Sequence, residues 1–384
     1  MSVQIIEVTS SKEFQAFFEF PWTLYKDDPN WVPPLLSMRK ELFDKKKNPA
    51  WDYLDGSHFL AMRGDQPVGT ISAVINHRHN DFTNERIGWF GMFECIQDQE
   101  VADALLQRAA DWVKAQGDYN AIRGPQSFTT HEETGLLVDG FTPPTLLTPY
   151  NPPYYQELIE NSPGFEKCMD VISIYFDHDI IREHNMSEKM QKIGERAMRS
   201  GRVKIRPIDL KRKDEEFKLF RDLYNEVWAE NWSFVPMTDR ELDALVHSLG
   251  QFVDPNLAFF TEVDGQPAGF ILAVPNFNEV LKKVYPRPGV PEWFSLIKAG
   301  YYWKIAKIIR SFRTPLMGVK KEYREMGLEM LMYSKVLESV VTGGQYLWGD
   351  FGWILETNKL VKMSLKMGGE IYKRHRFFEK DLTD

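Results

Sequence analysis

The chain has 384 residues, with 47 Lys/Arg against 55 Asp/Glu and a formal net charge of −8. At roughly 100–200 residues per domain this length predicts two domains, and the acidity weighs against a nucleic-acid partner. Hydrophobic residues (43%) and aromatics (14%) supply packed cores, while two cysteines, Cys95 and Cys168, give no disulfide framework and no zinc-ligand spacing, so no metal is expected. The N-terminal stretch lacks a basic segment followed by an apolar one, and no run of about 18 apolar residues follows anywhere; a cytoplasmic location is expected.

The chain opens with a short strand pattern (Val3–Val8) and helical segments. A hairpin of β-branched, aromatic-rich strands follows around Asp65-Gln66-Pro67, then a strand over Ile87–Ile96. An amphipathic helix is predicted over Glu100–Gln116, with Val101, Leu105, Ala109, Trp112 and Val113 at helical spacing and Gly117 as its stop. Strand, helix and strand follow at Ala121–Arg123, Pro153–Glu160 and Cys168–Phe176. A polar, charged stretch then leads to the same order again. This second series has a strand at Val203–Ile208, a hairpin, a strand at Pro315–Val319 and a helix at Met326–Thr342 stopped by Gly343-Gly344. It closes with Tyr346–Asp350, Lys359–Lys366 and Glu370–Glu379.

The recurrence is a repeat. Residues 59–76 and 259–276 share eight identities in 18 ungapped positions: Phe59, Gln66, Pro67, Gly69, Ile71, Ala73, Val74 and Asn76 face the residues 200 positions on. The same offset aligns Val3-Gln4-Ile5 with Val203-Lys204-Ile205. The expected architecture is α/β with a mixed sheet, as two tandem domains: 1–178, a connecting segment 179–202, and 203–384.

This element order resembles the GNAT (Gcn5-related N-acetyltransferase) acyltransferase fold. Val319-Lys320-Lys321-Glu322-Tyr323-Arg324-Glu325-Met326-Gly327-Leu328 is similar to the family's acyl-CoA motif, a strand followed by a Tyr-Arg loop opening a helix. Asn358 with Gly368-Gly369 is similar to its downstream element. The resemblance implies that Val319, Tyr323, Arg324, Met326, Gly327, Leu328 and Asn358 hold acyl-CoA. Loop N–H groups and a helix N-terminus would receive the pyrophosphate without a metal. Glu329 and Leu365 depart from the pattern where a small residue and a Tyr are usual. In the first copy the corresponding loop, Gln97-Asp98-Gln99-Glu100, has no glycine, so at most one CoA site is expected, in the second copy.

Further segments resemble one bacterial group of GNAT-type N-acyltransferases over nearly the whole chain: Tyr25–Pro34, Asn76–Asn80, Phe93-Glu94-Cys95, Gly135–Phe141 and Asn151–Tyr155. Related members are linked to ceramide formation. The resemblance thus implies transfer of an acyl group, long-chain ones included, from CoA to the primary amine of a small molecule or lipid.

Amide formation from a thioester needs a base for the amine and a donor for the oxyanion. His131 and Glu132, in a long Gly/Thr/Pro-rich loop, are first candidates for the base. Glu94, a carboxylate between Phe93 and Cys95, is the next. His77, His79, Arg123, Asn151 and Tyr154 are candidate substrate contacts. From Trp293 to Lys321 there are seven Lys/Arg and no acid. Read as one helix, Phe294, Ile297, Tyr301, Ile305, Ile308 and Phe312 share a face, which suits peripheral membrane contact or a packed helix. Two other classes stay open: aminoacyl-tRNA-dependent transfer, and a non-catalytic module that binds acyl-CoA or membrane.

Overall fold

The computed structural model describes residues 2–229 and 231–383, without the side chains of Ser187 and Gln191. In the first half the elements are β1 (Gln4–Glu7), α1 (Ser11–Leu24), α2 (Leu36–Phe43), β2 (Leu54–Arg63), β3 (Gln66–Asn76), α3 (His77–Thr83), β4 (Ile87–Cys95), α4 (Gln99–Ala115), β5 (Ala121–Gly124), β6 (Leu136–Asp139), α5 (Tyr154–Glu160) and β7 (Phe165–Asp177). Then come α6 (His178–Glu183), α7 (Met186–Met198), β8 (Val203–Pro207), α8 (Lys213–Trp228), α9 (Asp239–Gly250), β9 (Ala258–Val263), β10 (Gln266–Pro275), α10 (Asn278–Val284), α11 (Glu292–Gly300), β11 (Ser311–Val319), α12 (Leu328–Gly343), β12 (Trp348–Leu355), α13 (Lys359–Lys366) and β13 (Glu370–Asp381).

Local chemistry sets the boundaries. Ser10 opens α1 with a capping box: the Glu13 carboxylate accepts from the Ser10 N–H at 2.8 Å, and the Ser10 hydroxyl accepts from the Glu13 N–H at 3.3 Å. Asp98 caps α4, and the left-handed Gly344 (φ 62°) ends α12. The β9–β10 hairpin turns through Asp264 (φ 51°) and Gly265 (φ 77°), the left-handed pair that a tight two-residue turn requires.

Two compact units result. Unit 1 comprises Met1–Val171, Leu281–Ile305 and Lys373–Asp384; unit 2 comprises Ile172–Val280 and Ala306–Tyr372. In unit 1 the strand order is β1-β2-β3-β4-β5-β13, with β6 also pairing β13. Its core joins Phe59, Ile71, Phe90, Leu105, Tyr155 and Phe378, as α4 lays its apolar stripe on the sheet. In unit 2 the order is β7-β12-β11-β10-β9-β8, with a core around Phe220, Tyr224, Leu242, Phe260 and Phe270.

Each unit therefore ends on a strand from the other half of the sequence. Residues 373–381 of β13 pair β5 and β6 in unit 1, and residues 172–177 of β7 border β12 in unit 2. The division at 178 and 203 read from the repeat does not coincide with these units, because sequence order does not show which strand edge a terminal strand will meet. The polar segment 179–202 is largely helical: α7 buries Met186 and Met190, and its Gly194 lies where a Cβ would sit 2.7 Å from Leu331 of α12.

A second correction concerns the basic segment. The helix does not run to Phe312: α11 ends at Gly300, a π-turn carries Tyr301–Ile305, and β11 begins at Ser311. Ser311–Thr314 pair β12 on one side, and Phe312 and Arg313 pair β10 on the other, so sheet hydrogen bonds claim this backbone.

Both copies keep a bulge between the hairpin and the next strand, after Thr70–Glu94 in β3–β4 and Leu272–Leu316 in β10–β11. In unit 1 the bulge region is tightly closed. A Cβ on Gly91 would lie 1.7 Å from the Gln126 carbonyl oxygen. Since that oxygen is backbone, Gly91→Ala is expected to destabilise at or beyond the upper end of roughly 1–3 kcal/mol, read as a lowered urea midpoint.

Candidate active site

The β4 strand places Glu94 at a junction of three helices. Tyr25, the residue that ends α1, is buried and stacks on Trp31 at 5.0 Å. Its hydroxyl donates to Glu94 Oε2 at 2.6 Å. Tyr155 of α5, also buried, donates to the same oxygen at 2.8 Å and accepts from the Cys95 N–H at 2.7 Å. Both tyrosines thus hold one carboxylate oxygen and leave Oε1 with no protein donor among the described residues. Burial pushes the Glu94 carboxyl up to about 7, opposed by the two tyrosine hydrogen bonds and by the Arg39 guanidinium, and aided by the like charge of Glu133. Arg39 reaches this region from α2, packed among the rings of Phe18, Trp22 and Phe43. A carboxylate that titrates near neutrality and has an open oxygen can take a proton from an ammonium.

The other candidates are placed as follows. Glu132 is half-buried and folds its own loop, accepting from the Phe128 N–H at 2.9 Å and from Asn48 Nδ2 at 3.2 Å; burial pushes it up to about 7. His131 is half-buried beside it, its N–H donating to Thr129 Oγ1 at 3.3 Å. His77 and His79 do not share a strand face. The strand stops at Asn76, whose side chain caps α3, and the two rings diverge: His77 lies exposed at 2.8 Å from Asp55, while His79 is buried at 2.8 Å from Glu85.

Arg123 joins that second group, paired with Glu85 at 2.9 Å and Glu379 at 2.7 Å and lying over Trp89. The His79 hydrogen bond, then Arg123, holds Glu85 down at about 2 against its burial. Asn151 is buried and acts as a strand partner, accepting from the Leu137 N–H at 2.7 Å and donating to the Leu137 carbonyl at 3.0 Å. Tyr154 donates to the Cys95 carbonyl at 2.8 Å, next to the Glu94 cluster. Burial raises the Cys95 thiol, which removes it as a nucleophile.

Tyr25, Tyr155 and Arg39 carry functional geometry that the sequence reading did not assign. The first two lay inside the Tyr25–Pro34 and Asn151–Tyr155 resemblance segments, so the signal was present without a role. Arg39 had none.

The shared hairpin register makes the two copies comparable residue by residue. Gly69 faces Cys95, and Gly269 faces Val319. Glu94 therefore corresponds to Gly318. A Cβ on Gly318 would lie 2.3 Å from Val227 Cγ2, so in unit 2 the space of a carboxylate is taken by a valine of α8.

The strand edges differ too. In unit 1 the Ile96 N–H bonds the Val68 carbonyl, which turns the Cys95 backbone away from β3. Both its groups are taken by tyrosine hydroxyls, and the Phe90 carbonyl by the Gln126 N–H at 2.8 Å. At Phe90 and Cys95 the protein itself thus takes the outward backbone groups that an added strand would use.

In unit 2 the β11–β12 ladder covers Ser311–Thr314, while β11 continues to Val319. The Lys320 N–H bonds the Ala268 carbonyl, so the Met317 and Val319 backbone groups turn away from β10. Trp228 Nε1 donates to the Met317 carbonyl at 3.2 Å. Arg324 Nε donates to the Val319 carbonyl at 3.4 Å and Nη2 to the Val227 carbonyl at 3.1 Å. Tyr323 and Met326 lie in a 3₁₀ turn, Lys321–Met326, and left-handed Gly327 (φ 76°) precedes Leu328, the first residue of α12. Asn358 caps α13, accepting from the Leu360 N–H at 2.9 Å.

The fold is that of a tandem GNAT protein. A solved tandem GNAT protein from the clavulanic acid biosynthesis pathway matches at TM-score 0.55 and 12% identity, covering 100% of this chain and 99% of that one. A probable N-acyltransferase of Enterococcus faecalis matches at TM-score 0.51 and 9% identity, over 100% of this chain and 73% of that one. No protein-family model matches the sequence.

Among curated proteins, the chain is 33% identical over 390 residues to the bacterial ceramide synthase of Caulobacter vibrioides, covering 99% of this chain and 98% of that protein. It is 32% identical to the YghO protein of Escherichia coli, covering 97% of this chain and 94% of that one. The chain belongs to the family of these two proteins, and family and fold class it with the N-acyltransferases. Among the described residues no helix is long and apolar enough to cross a membrane, and no group of three or more potential metal ligands occurs.

Proposed function

We propose that the protein transfers an acyl group from a CoA thioester to a primary amine, with a long-chain acyl-CoA as donor, a lipid amine of the sphingoid type as acceptor, and Glu94 as general base. The observation that carries this reading is the Glu94 carboxylate, held through one oxygen by Tyr25 and Tyr155 and pushed up to about 7 by its burial. Water-linked roles for His131 and Glu132 follow it in rank, since Glu132 already serves its loop. The ceramide synthase relative favours the lipid acceptor, as does the first part of the basic, aromatic 293–321 stretch, up to Ile305, for which peripheral contact with a lipid surface is proposed.

For the donor, Val319, Tyr323, Arg324, Met326, Gly327, Leu328 and Asn358 of unit 2 are the proposed contacts. At the strand edge there, Trp228 and Arg324 donate to the Met317 and Val319 carbonyls, and rotamer changes can withdraw both side chains. Backbone groups of Met317 and Val319 would then pair with pantetheine amides, and the start of α12 would face the phosphates.

The test mixes purified protein with acetyl-CoA or palmitoyl-CoA and sphinganine or a short amine, and follows free thiol and amide product. Thiol release with palmitoyl-CoA and sphinganine well above the other pairs is the expected result; release with acetyl-CoA and the short amine alone would overturn the lipid reading. A ligand at 100 times its Kd should also add about 2.7 kcal/mol to stability. A thermal shift with palmitoyl-CoA is therefore expected. A shift without any turnover would select the non-catalytic module, which the self-held strand edge of β11 favours as the second reading.

A further inference from the structure

The segment 292–305 is inverted relative to a helix of a packed domain. α11 turns its small residues, Ser295 and Ala299, inward. Its large apolar residues face out: Trp293 is 62% exposed, Ile297 63% and Leu296 51%. The π-turn extends the stripe through Tyr301 (52%) and Ile305 (73%). Trp293, Ile297, Tyr301 and Ile305 repeat every fourth residue, so a single continuous strip of apolar surface is presented.

The surrounding charge is mainly positive. Within the unit 1 stretch Leu281–Ile305 the cations are Lys282, Lys283, Arg287, Lys298 and Lys304, against one acid, Glu292. That acid is engaged by Ser37, whose N–H and hydroxyl both donate to it at 2.9 Å. Lys298 and Lys304 lie over the rings of Phe294 and Trp303. In a chain of net charge −8, an apolar strip edged mainly by cations is complementary to an anionic bilayer surface, where indole rings and lysines sit at the headgroup level.

We infer that residues 292–305 dock unit 1 on an anionic lipid surface, the apolar strip entering the interface and the five cations facing the headgroups. The other half of the basic segment takes no part in the strip, because Ile309 is buried and β11 starts at Ser311.

The docking segment is tied to the candidate base. Trp22 Nε1 donates to the Pro286 carbonyl at 2.8 Å, and Tyr285 packs edge-on against Trp31 at 6.2 Å. Trp31 stacks on Tyr25, which bonds Glu94. Beside this path opens a cavity of about 430 Å³, lined by Phe14, Phe18, Leu36, Lys40, Pro288 and Gly289 among others. This cavity offers a route for an amine drawn from the lipid phase. That route rests on the lipid-acceptor reading; the docking itself does not, and its test is read without turnover.

The experiment is flotation of the full chain with vesicles of phosphatidylcholine alone and with added phosphatidylglycerol. Wild type should float with the anionic vesicles, less with the neutral ones, and less as salt rises. Trp293→Ser/Ile297→Ser should weaken binding at least ~10-fold. Lys298→Glu/Lys304→Glu should remove the preference for anionic lipid. Both pairs are solvent-facing, and a thermal unfolding curve matching wild type confirms that the fold is kept. Wild type that floats with neither vesicle overturns the inference, as does binding that both double variants leave unchanged. A dimer by sedimentation that Trp293→Ser/Ile297→Ser dissociates, without vesicle binding, would instead make the strip a contact between copies.

Discussion

Replacing Glu94 by Gln is expected to lower the rate of acyl transfer by roughly 10²–10⁴-fold, the usual worth of a positioned base, with the fold intact. The amide oxygen of Gln can still accept from Tyr25 and Tyr155, since both donate to the same oxygen in the wild type. The wild-type rate should rise with pH as Glu94 loses its proton, level above about 7, and lose this limb in Glu94→Gln. The same substitution should stabilise the protein at high pH. The folded state binds the Glu94 proton more tightly than an unfolded chain, where the carboxyl titrates near 4.5. Stability is therefore lost as pH rises from about 4.5 to about 7, and the neutral amide escapes that loss.

Allowing for the partial exposure of Glu94, the gain at pH 8 is on the order of 1–3 kcal/mol, a few degrees in Tm. Lower activity together with a higher Tm is the signature of a carboxylate kept charged in an unfavourable place for chemistry. Glu94→Gln with near wild-type turnover would remove Glu94 as the base and pass the role to His131 or Glu132.

Glu94 was legible as a candidate from its setting between Phe93 and Cys95, but its rank was not. What distinguishes it are hydroxyls 69 and 61 residues away in sequence, and no local pattern reports such pairs. Glu132 looked stronger because it stands in a long polar loop. The structure gives that carboxylate to the Phe128 N–H and Asn48 instead.

The repeat was legible because a hairpin constrains its residues at every position: Gly69 and Gly269 hold the same register in both copies. The same repeat hid the difference that matters, since Glu94 and Gly318 lie outside the aligned stretch. For residues 293–321 the sequence showed the excess of cations, but the apolar face drawn through Ile308 and Phe312 did not hold, since Phe312 is buried in β11, and helical spacing alone cannot tell which face is inward. Ser295 and Ala299 decide that, and small residues carry no hydrophobic signal of their own.

Deleting residues 373–384 is expected to unfold unit 1, and residues 1–178 made alone are expected not to fold. Residues 373–381 of β13 fill the gap beside β5, where Phe378 faces Gly124 and Asp381 faces Ala121, and pair β6 as well. Phe378 is fully buried in the unit 1 core, and Leu382 nearly so. Losing these two side chains removes about 1.5–3 kcal/mol each. The charges add to this. Asp170 is buried and is held by Arg376 at 2.9 Å and Arg374 at 3.2 Å, and the deletion removes both arginines. Arg123, also buried, would lose Glu379.

Breaking a buried pair by removing one partner costs about 3–5 kcal/mol. Lys373 additionally bonds the Gly140 and Thr142 carbonyls at 2.8 Å each, so the loop after β6 loses its anchor. Together these losses match the whole stability of an ordinary domain, about 5–15 kcal/mol. Near-ultraviolet circular dichroism and urea unfolding of the fragment would read the result. A cooperative transition for residues 1–178 alone would mean that the first half folds without β13. Loss of that transition, and its return when a peptide of residues 370–384 is added, would mean that the site around Glu94, the proposed base on β4, is formed only once the last strand of the chain is in place.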